Sequence, residues 1–151
     1  MRGRNDNKPS KTAKRLQAST AGGTRDVVIL AFHDAQLLDI AGPAQVFATA
    51  AETLGGPDPA YRVRIASLSG GPVKTSAGVE IFSEPLSAID FERVDTLVIS
   101  GGAGVQAASR DDAIVEWVRE VSKNTRRTCS VCTGDFILAE GGLLAGKRAV
   151  T

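Results

Sequence analysis

The sequence predicts an α/β domain: a parallel sheet covered by helices on both faces. Two observations carry this. Asp26-Val27-Val28-Ile29-Leu30-Ala31-Phe32 and Val94-Asp95-Thr96-Leu97-Val98-Ile99-Ser100 are largely apolar runs, the signature of strands buried on both faces. Segments with helical spacing follow such runs, so strands and helices alternate along the chain. A length of 151 residues with 42% hydrophobic residues suits one domain of this kind.

Residues 1–25 stand apart. They hold seven of the 18 Lys+Arg and one of the 17 Asp+Glu, a net of +6, which leaves −5 for residues 26–151. With no apolar run, this head reads as a disordered basic arm, either a solvated tail or a start-site artefact, with contact to nucleic acid as the weaker alternative. It has no apolar core of a secretory signal, which points to a cytoplasmic protein; a mitochondrial-type presequence is weakened by Asp6. No stretch of 18 apolar residues suggests a membrane span.

After the first strand and the polar turn at His33-Asp34, the alanine-rich stretch from Pro43 to Glu52 reads as a helix with proline in its first turn. Gly55-Gly56-Pro57 stops it. Tyr61 to Leu68 alternates as a strand, Gly70-Gly71-Pro72 reads as a turn, and Val79-Glu80-Ile81-Phe82 as a short strand. The strand from Val94 ends in Gly101-Gly102-Ala103-Gly104. A helix follows from Asp111 to Lys123, with Ile114, Val115, Val118 and Val121 at helical spacing. A last strand runs to Cys132, and Phe136 to Glu140 opens a helix that Gly141-Gly142 ends.

In parallel sheets the site lies at the carboxyl ends of the strands. Three segments meet there: the loop after the first strand, the glycine loop, and Cys132. A cysteine where a strand turns sharply into a helix is a nucleophile elbow, facing a helix end that favours the thiolate. The bland alternative is a buried, inert thiol, and position alone leaves both open. Cys129 and Cys132 form C-x-x-C. Zinc needs about four ligands and no further cysteine pair or nearby histidine exists, while the redox reading suffers because Cys129 lies within the strand, where it reads as a core residue. The glycine loop fits neither a dinucleotide fingerprint nor a P-loop. Gly102 reads as letting its amide approach a ligand oxygen and, with the amide of Thr133, as an oxyanion hole; Gly101 and Gly104 read as turn formers. His33, the single histidine, reads as a polar turn residue.

Leu37-Leu38-Asp39-Ile40-Ala41-Gly42-Pro43-Ala44-Gln45-Val46-Phe47, Ser100-Gly101-Gly102, and Ser130-Val131-Cys132-Thr133-Gly134 with Gly142-Leu143-Leu144 together resemble the ThiJ/PfpI superfamily. The likeness covers nearly everything from Asp26 to Thr151. It implies a flavodoxin-like, class I glutamine amidotransferase-like fold. Val63 to Val73, Trp117-Val118-Arg119 and Phe136 to Glu140 resemble the N-terminal domain of GlxA-type AraC-family transcriptional regulators, and isonitrile hydratases share the Asp39 and Cys132 motifs. By this resemblance Cys132 matches the nucleophile, Asp39 the acidic residue that reaches it, and Gly102 and Thr133 the positions whose amides face a bound oxygen. For Asp39 the bland alternative is a cap of the helix that follows. The family's histidine, where present, follows a stretch like Arg148-Ala149-Val150-Thr151, so the resemblance implies a domain (residues 26–151) lacking its C-terminal part, with an unpaired strand edge and no helix-turn-helix.

Three readings follow: a ligand-sensing module of an AraC-type regulator that dimerises, a cysteine-dependent hydratase or amidase using Cys132 and Asp39, or a non-catalytic fragment. The missing histidine weighs against triad chemistry and favours the sensor over the enzyme. The expected partners are a small-molecule ligand and a second copy of the chain. No cofactor or metal, no membrane and no sequence-specific nucleic acid is expected.

Overall fold

The computed structural model describes residues 23–150; the basic arm lies almost entirely outside them. The elements in chain order are β1 Arg25–Leu30, α1 Leu37–Leu54, β2 Tyr61–Ser67, β3 Ser69–Lys74, β4 Glu80–Pro85, β5 Val94–Ile99, α2 Val105–Ala108, α3 Asp112–Asn124, β6 Arg127–Ser130 and α4 Asp135–Glu140. Single 3-10 turns occupy Leu86–Ala88, Phe91–Arg93 and Cys132–Gly134.

One six-stranded sheet has the order β3-β4-β2-β1-β5-β6, parallel except for β3. The chain leaves β1 toward β2 through α1, then crosses to the other side of β1 for β5 and β6. Right-handed crossovers in opposite directions along a sheet put α1 on one face and α3 on the other. The order reverses beside β1, so a crevice opens at the carboxyl ends of β1 and β5.

The two apolar runs sit where their composition demands. Val27, Val28, Ile29 and Leu30 of β1 and Leu97 and Ile99 of β5 are wholly buried in the sheet centre. α3 closes one face with Ile114, Trp117, Val118 and Val121. Its N-cap is Asp111, whose carboxylate accepts from the N–H groups of Ala113 and Ile114. The Trp117 ring nitrogen donates to the Leu86 carbonyl at 3.2 Å.

Three local expectations fail for physical reasons. α1 begins at Leu37, not Pro43, so the proline lies inside the helix and withholds an N–H from the carbonyl of Asp39. Gly70-Gly71-Pro72 is no turn; it lies in β3, antiparallel to β4. β3 is an edge strand, where a proline's missing donor is tolerated. Cys129 is not a core residue. β6 is the opposite edge, and its residues alternate between exposed and half-buried.

The amino ends of the strands are held by ion pairs. Asp26, almost wholly buried, accepts both guanidinium donors of Arg62 at 2.9 Å. Arg126 grips Asp95 in the same bidentate way at 2.7 and 2.6 Å; farther along the sheet, Arg64 pairs with Glu84 near the carboxyl end of β4. Burial pushes the Asp95 carboxyl up, but hydrogen bonds from Arg126 and Thr96 outweigh it and hold the group below the ordinary aspartate range.

Because that value is depressed, the pair's stabilisation is present at neutral pH and is lost as pH falls through it. Asp95→Asn should cost about 1 kcal/mol near neutrality. The gap from wild type should close in urea melts run from about pH 6 down to pH 3. A gap independent of pH would refute this assignment.

Candidate functional site

At the carboxyl ends of the strands the chain is held by backbone rather than by charge. The residues after β1 leave the sheet as a turn, with Asp34 at a φ of 58°. This turn is bonded on both flanks. Asp34 N–H donates to the Lys74 carbonyl at 2.9 Å and Ser76 N–H to the Ala35 carbonyl at 2.9 Å. On the other side Gln36 N–H donates to the Gly101 carbonyl at 2.8 Å, Gly104 N–H to the Asp34 carbonyl at 3.2 Å, and Ala35 bridges to Gly102. At Gly104 the approach is so close that a Cβ would lie 1.9 Å from the His33 carbonyl oxygen. Only glycine fits.

The same junction receives Asp39. It is buried in the first turn of α1, and its Oδ2 accepts the Gly101 N–H at 3.1 Å. Gly101 in turn lies against the segment around Cys132: a Cβ there would fall 2.6 Å from the Thr133 nitrogen and 2.9 Å from the Val131 carbonyl oxygen. Asp39 is thus one glycine away from the strand-to-helix turn, 62 residues along the chain from its partner. Gly101, read from sequence as a turn former, is the residue that joins them. The only sequence signal for this was its place directly after a buried strand.

Cys132 follows β6 by two residues. Val131 N–H donates to the Ile99 carbonyl at 2.9 Å, extending the register of β6 on β5. Cys132 then takes a φ of 51°, which side chains other than glycine rarely adopt. A 3-10 turn through Gly134 leads into α4. This conformation presents Cys132 as an exposed residue.

Gly102 N–H donates to the Thr133 hydroxyl oxygen at 3.1 Å. The two residues read as an oxyanion pair therefore meet, but the glycine amide is occupied by the threonine side chain. A ligand oxygen at this amide has to displace that hydroxyl. His33 lies apart from this contact: its side chain is 72% exposed and its Nδ1 faces Asp34 Oδ2 at 3.1 Å.

The cysteines form no disulfide. Cys129 is exposed as a residue, yet its sulfur donates to the Leu97 carbonyl at 3.4 Å. Burial of that thiol pushes its pKa above the ordinary cysteine value, with Arg127 opposing. Among the described residues no group of three or more His, Cys, Asp or Glu is placed to hold a metal ion. No helix among them is long and apolar enough to cross a membrane.

The model of the DJ-1/PfpI family matches residues 25–151. An uncharacterized protein in the cpoL 5' region of Streptomyces lividans is 39% identical over 132 residues, 87% of this chain and 89% of its own length. The HTH-type transcriptional regulator Rv1931c of Mycobacterium tuberculosis is 53% identical over 51 residues, which are 34% of this chain and 20% of the regulator. Isonitrile hydratase of Pseudomonas putida is 32% identical over 123 residues, 81% of this chain and 50% of the enzyme. The chain thus spans half or less of the relatives named for a function. Among solved structures, a ThiJ/PfpI family protein from Pseudomonas syringae has a TM-score of 0.73 at 24% identity, covering 82% of this chain and 48% of its own. Drosophila melanogaster DJ-1beta has a TM-score of 0.67 at 21% identity, covering 80% and 62%. Both likenesses speak to the fold, a mostly parallel flavodoxin-like sheet with helices.

The raised value of Cys129 lowers its thiolate fraction, and the thiolate is the species that is alkylated. Limiting iodoacetamide near neutral pH should therefore modify Cys132 first, as read by peptide mass mapping. Faster labelling of Cys129 in the folded chain would overturn the ranking.

Proposed function

The chain belongs to the DJ-1/PfpI family, and from that premise we propose that it is the ligand-sensing domain of an AraC-type transcriptional regulator, acting in the cytoplasm. The relatives include proteins named as HTH-type transcriptional regulators, and a 51-residue stretch reaches 53% identity with one of them. What carries the sensing reading is the state of the site. Asp39 Oδ2 is engaged by the Gly101 N–H and the Gly102 amide by the Thr133 hydroxyl. Groups engaged in holding loops together preserve a shaped site; an oxyanion hole works through donors aimed at developing charge. The single histidine of the chain, the usual general base, faces solvent at the outer turn. In this reading Cys132 lines the site as a nucleophile elbow without turning substrate over.

A second reading rests on the likeness to isonitrile hydratase over 81% of the chain. Cys132 would attack the terminal carbon of an isonitrile, with the Asp39 carboxyl giving a proton to that carbon. Water would then release the cysteine and leave the hydrated product. The two readings part on turnover. Incubated with an alkyl isonitrile, the chain should form no hydrated product above a Cys132→Ser control. Repeated turnover abolished by that substitution would replace the sensor with the enzyme.

We also propose that the chain self-associates, and through β6. Of the two edge strands among the described residues, β3 is blunted by Gly70, Gly71 and Pro72, while β6 carries no glycine or proline. Val131 N–H points to β5. The two-residue period of a strand then turns the N–H groups of Arg127 and Cys129 the same way and those of Thr128 and Ser130 outward. Thr128→Pro removes an outward donor and leaves the ladder to β5 intact. Sedimentation should show concentration-dependent association for the wild type and a marked shift toward monomer for this variant. A wild type that stays monomeric would end the proposal.

A further inference from the structure

A groove of about 350 Å³ opens at the carboxyl ends of β1 and β2, apart from Cys132, walled by β3 on one side and by α2 and the start of α3 on the other. β6, which leads to Cys132, is two strands away from β1. We infer that this groove is a ligand site in its own right, taking a small carboxylate with an apolar tail.

Its lining is mostly apolar. Phe32, Val73, Ala108 and Ile114 are buried side chains that reach it, and Leu68, 41% exposed, stands at its mouth. A pocket of this kind binds an apolar body and uses a few polar groups to orient it. Three charged or titratable residues line the groove: His33, Lys74 and Asp111. Two have partners. Asp111 Oδ1 accepts from two N–H groups at the start of α3, and His33 faces Asp34. Lys74 joins no ion pair among the described residues. Its backbone is fixed at the groove, because its carbonyl receives the Asp34 N–H at 2.9 Å. Asp111 is held by N–H groups at the start of α3, which leaves Lys74 as the unpaired cation at the rim; beside an apolar groove it favours an anionic head on an apolar tail, and a carboxylate offers the charge-assisted hydrogen bond that an ammonium favours.

This goes beyond the sensing reading, whose site is lined by Cys132, by assigning a separate ligand site and its ligand class. Titration of the full chain with hexanoate, hexylamine and hexanol, followed by calorimetry and amide chemical shifts, tests it. Hexanoate should bind one per chain, shifting the amides of Phe32, Leu68, Lys74 and Ala107, and more tightly than hexanol; hexylamine should not compete. Lys74→Gln should weaken hexanoate by about tenfold or more. Ala107→Trp, at an exposed position, should fill the groove and abolish binding, and Leu68→Glu at the mouth should repel the anion. Cys132→Ser should bind hexanoate as the wild type does.

Hexylamine binding equal to hexanoate, an unchanged Lys74→Gln affinity, shifts centred on Gly101 and Thr133, or no hexanoate binding would each overturn the inference. Isonitrile turnover with intact hexanoate binding would instead sink the sensing role and leave the groove standing.

Discussion

The carboxyl end of this molecule depends on one constraint: the turn that follows β1 must touch backbone on both sides. Asp34, Ala35 and Gln36 are bonded to Lys74 and Ser76 on one flank and to Gly101 and Gly104 on the other. Everything at that end follows. The turn sets where α1 starts, and hence where Asp39 in its first helical turn can reach Gly101. Gly101 sets how closely the segment around Cys132 packs. The same turn forms the wall of the groove that holds Lys74. Cysteine site and groove are two sides of one clamped loop.

The two ends of the sheet are built from different physics. At the amino ends, arginines pair with Asp26 and Asp95 and offset the burial of their carboxylates. At the carboxyl ends, Ser100 is wholly buried with its hydroxyl on the Leu30 carbonyl at 2.6 Å, and close backbone approach replaces charge. Water-facing ion pairs weaken with salt and acid; hydrogen bonds between buried backbones do not.

Much of this was legible in the sequence where a single element decides its own fate. β1 and β5 announced themselves as apolar runs because both faces are buried. α3 was marked by its apolar spacing from Asp111 onward, and the structure adds that Asp111 is its cap. Elements whose character comes from a distant partner were not legible. Gly70-Gly71-Pro72 carries turn chemistry, but antiparallel pairing with β4 makes it a strand. The start of α1 was hidden because Pro43 mimics a first turn. Cys129 sits in an ordinary strand sequence, and only the sheet order shows it to be on an edge. The bond from Gly101 to Asp39 and the residues that line the groove are joined only by folding, so no local pattern contains them. Cys132, Gly102 and Thr133 stood out by their place at the strand ends, whereas Asp39 was reached only through family resemblance.

The contrast between the two ends also bears on how such a domain can diverge. Long arginine side chains can re-pair as their neighbours change, so the base of the sheet can drift. The rim has no such slack, because at Gly101 and Gly104 there is no side chain to adjust and any added carbon collides with backbone. A lineage built on this plan would keep its rim frozen while its base is rewritten. New ligand preferences would be written one step outward, at exposed positions such as Leu68 and Ala107, where a change of side chain alters what the groove admits without moving the loop that shapes it.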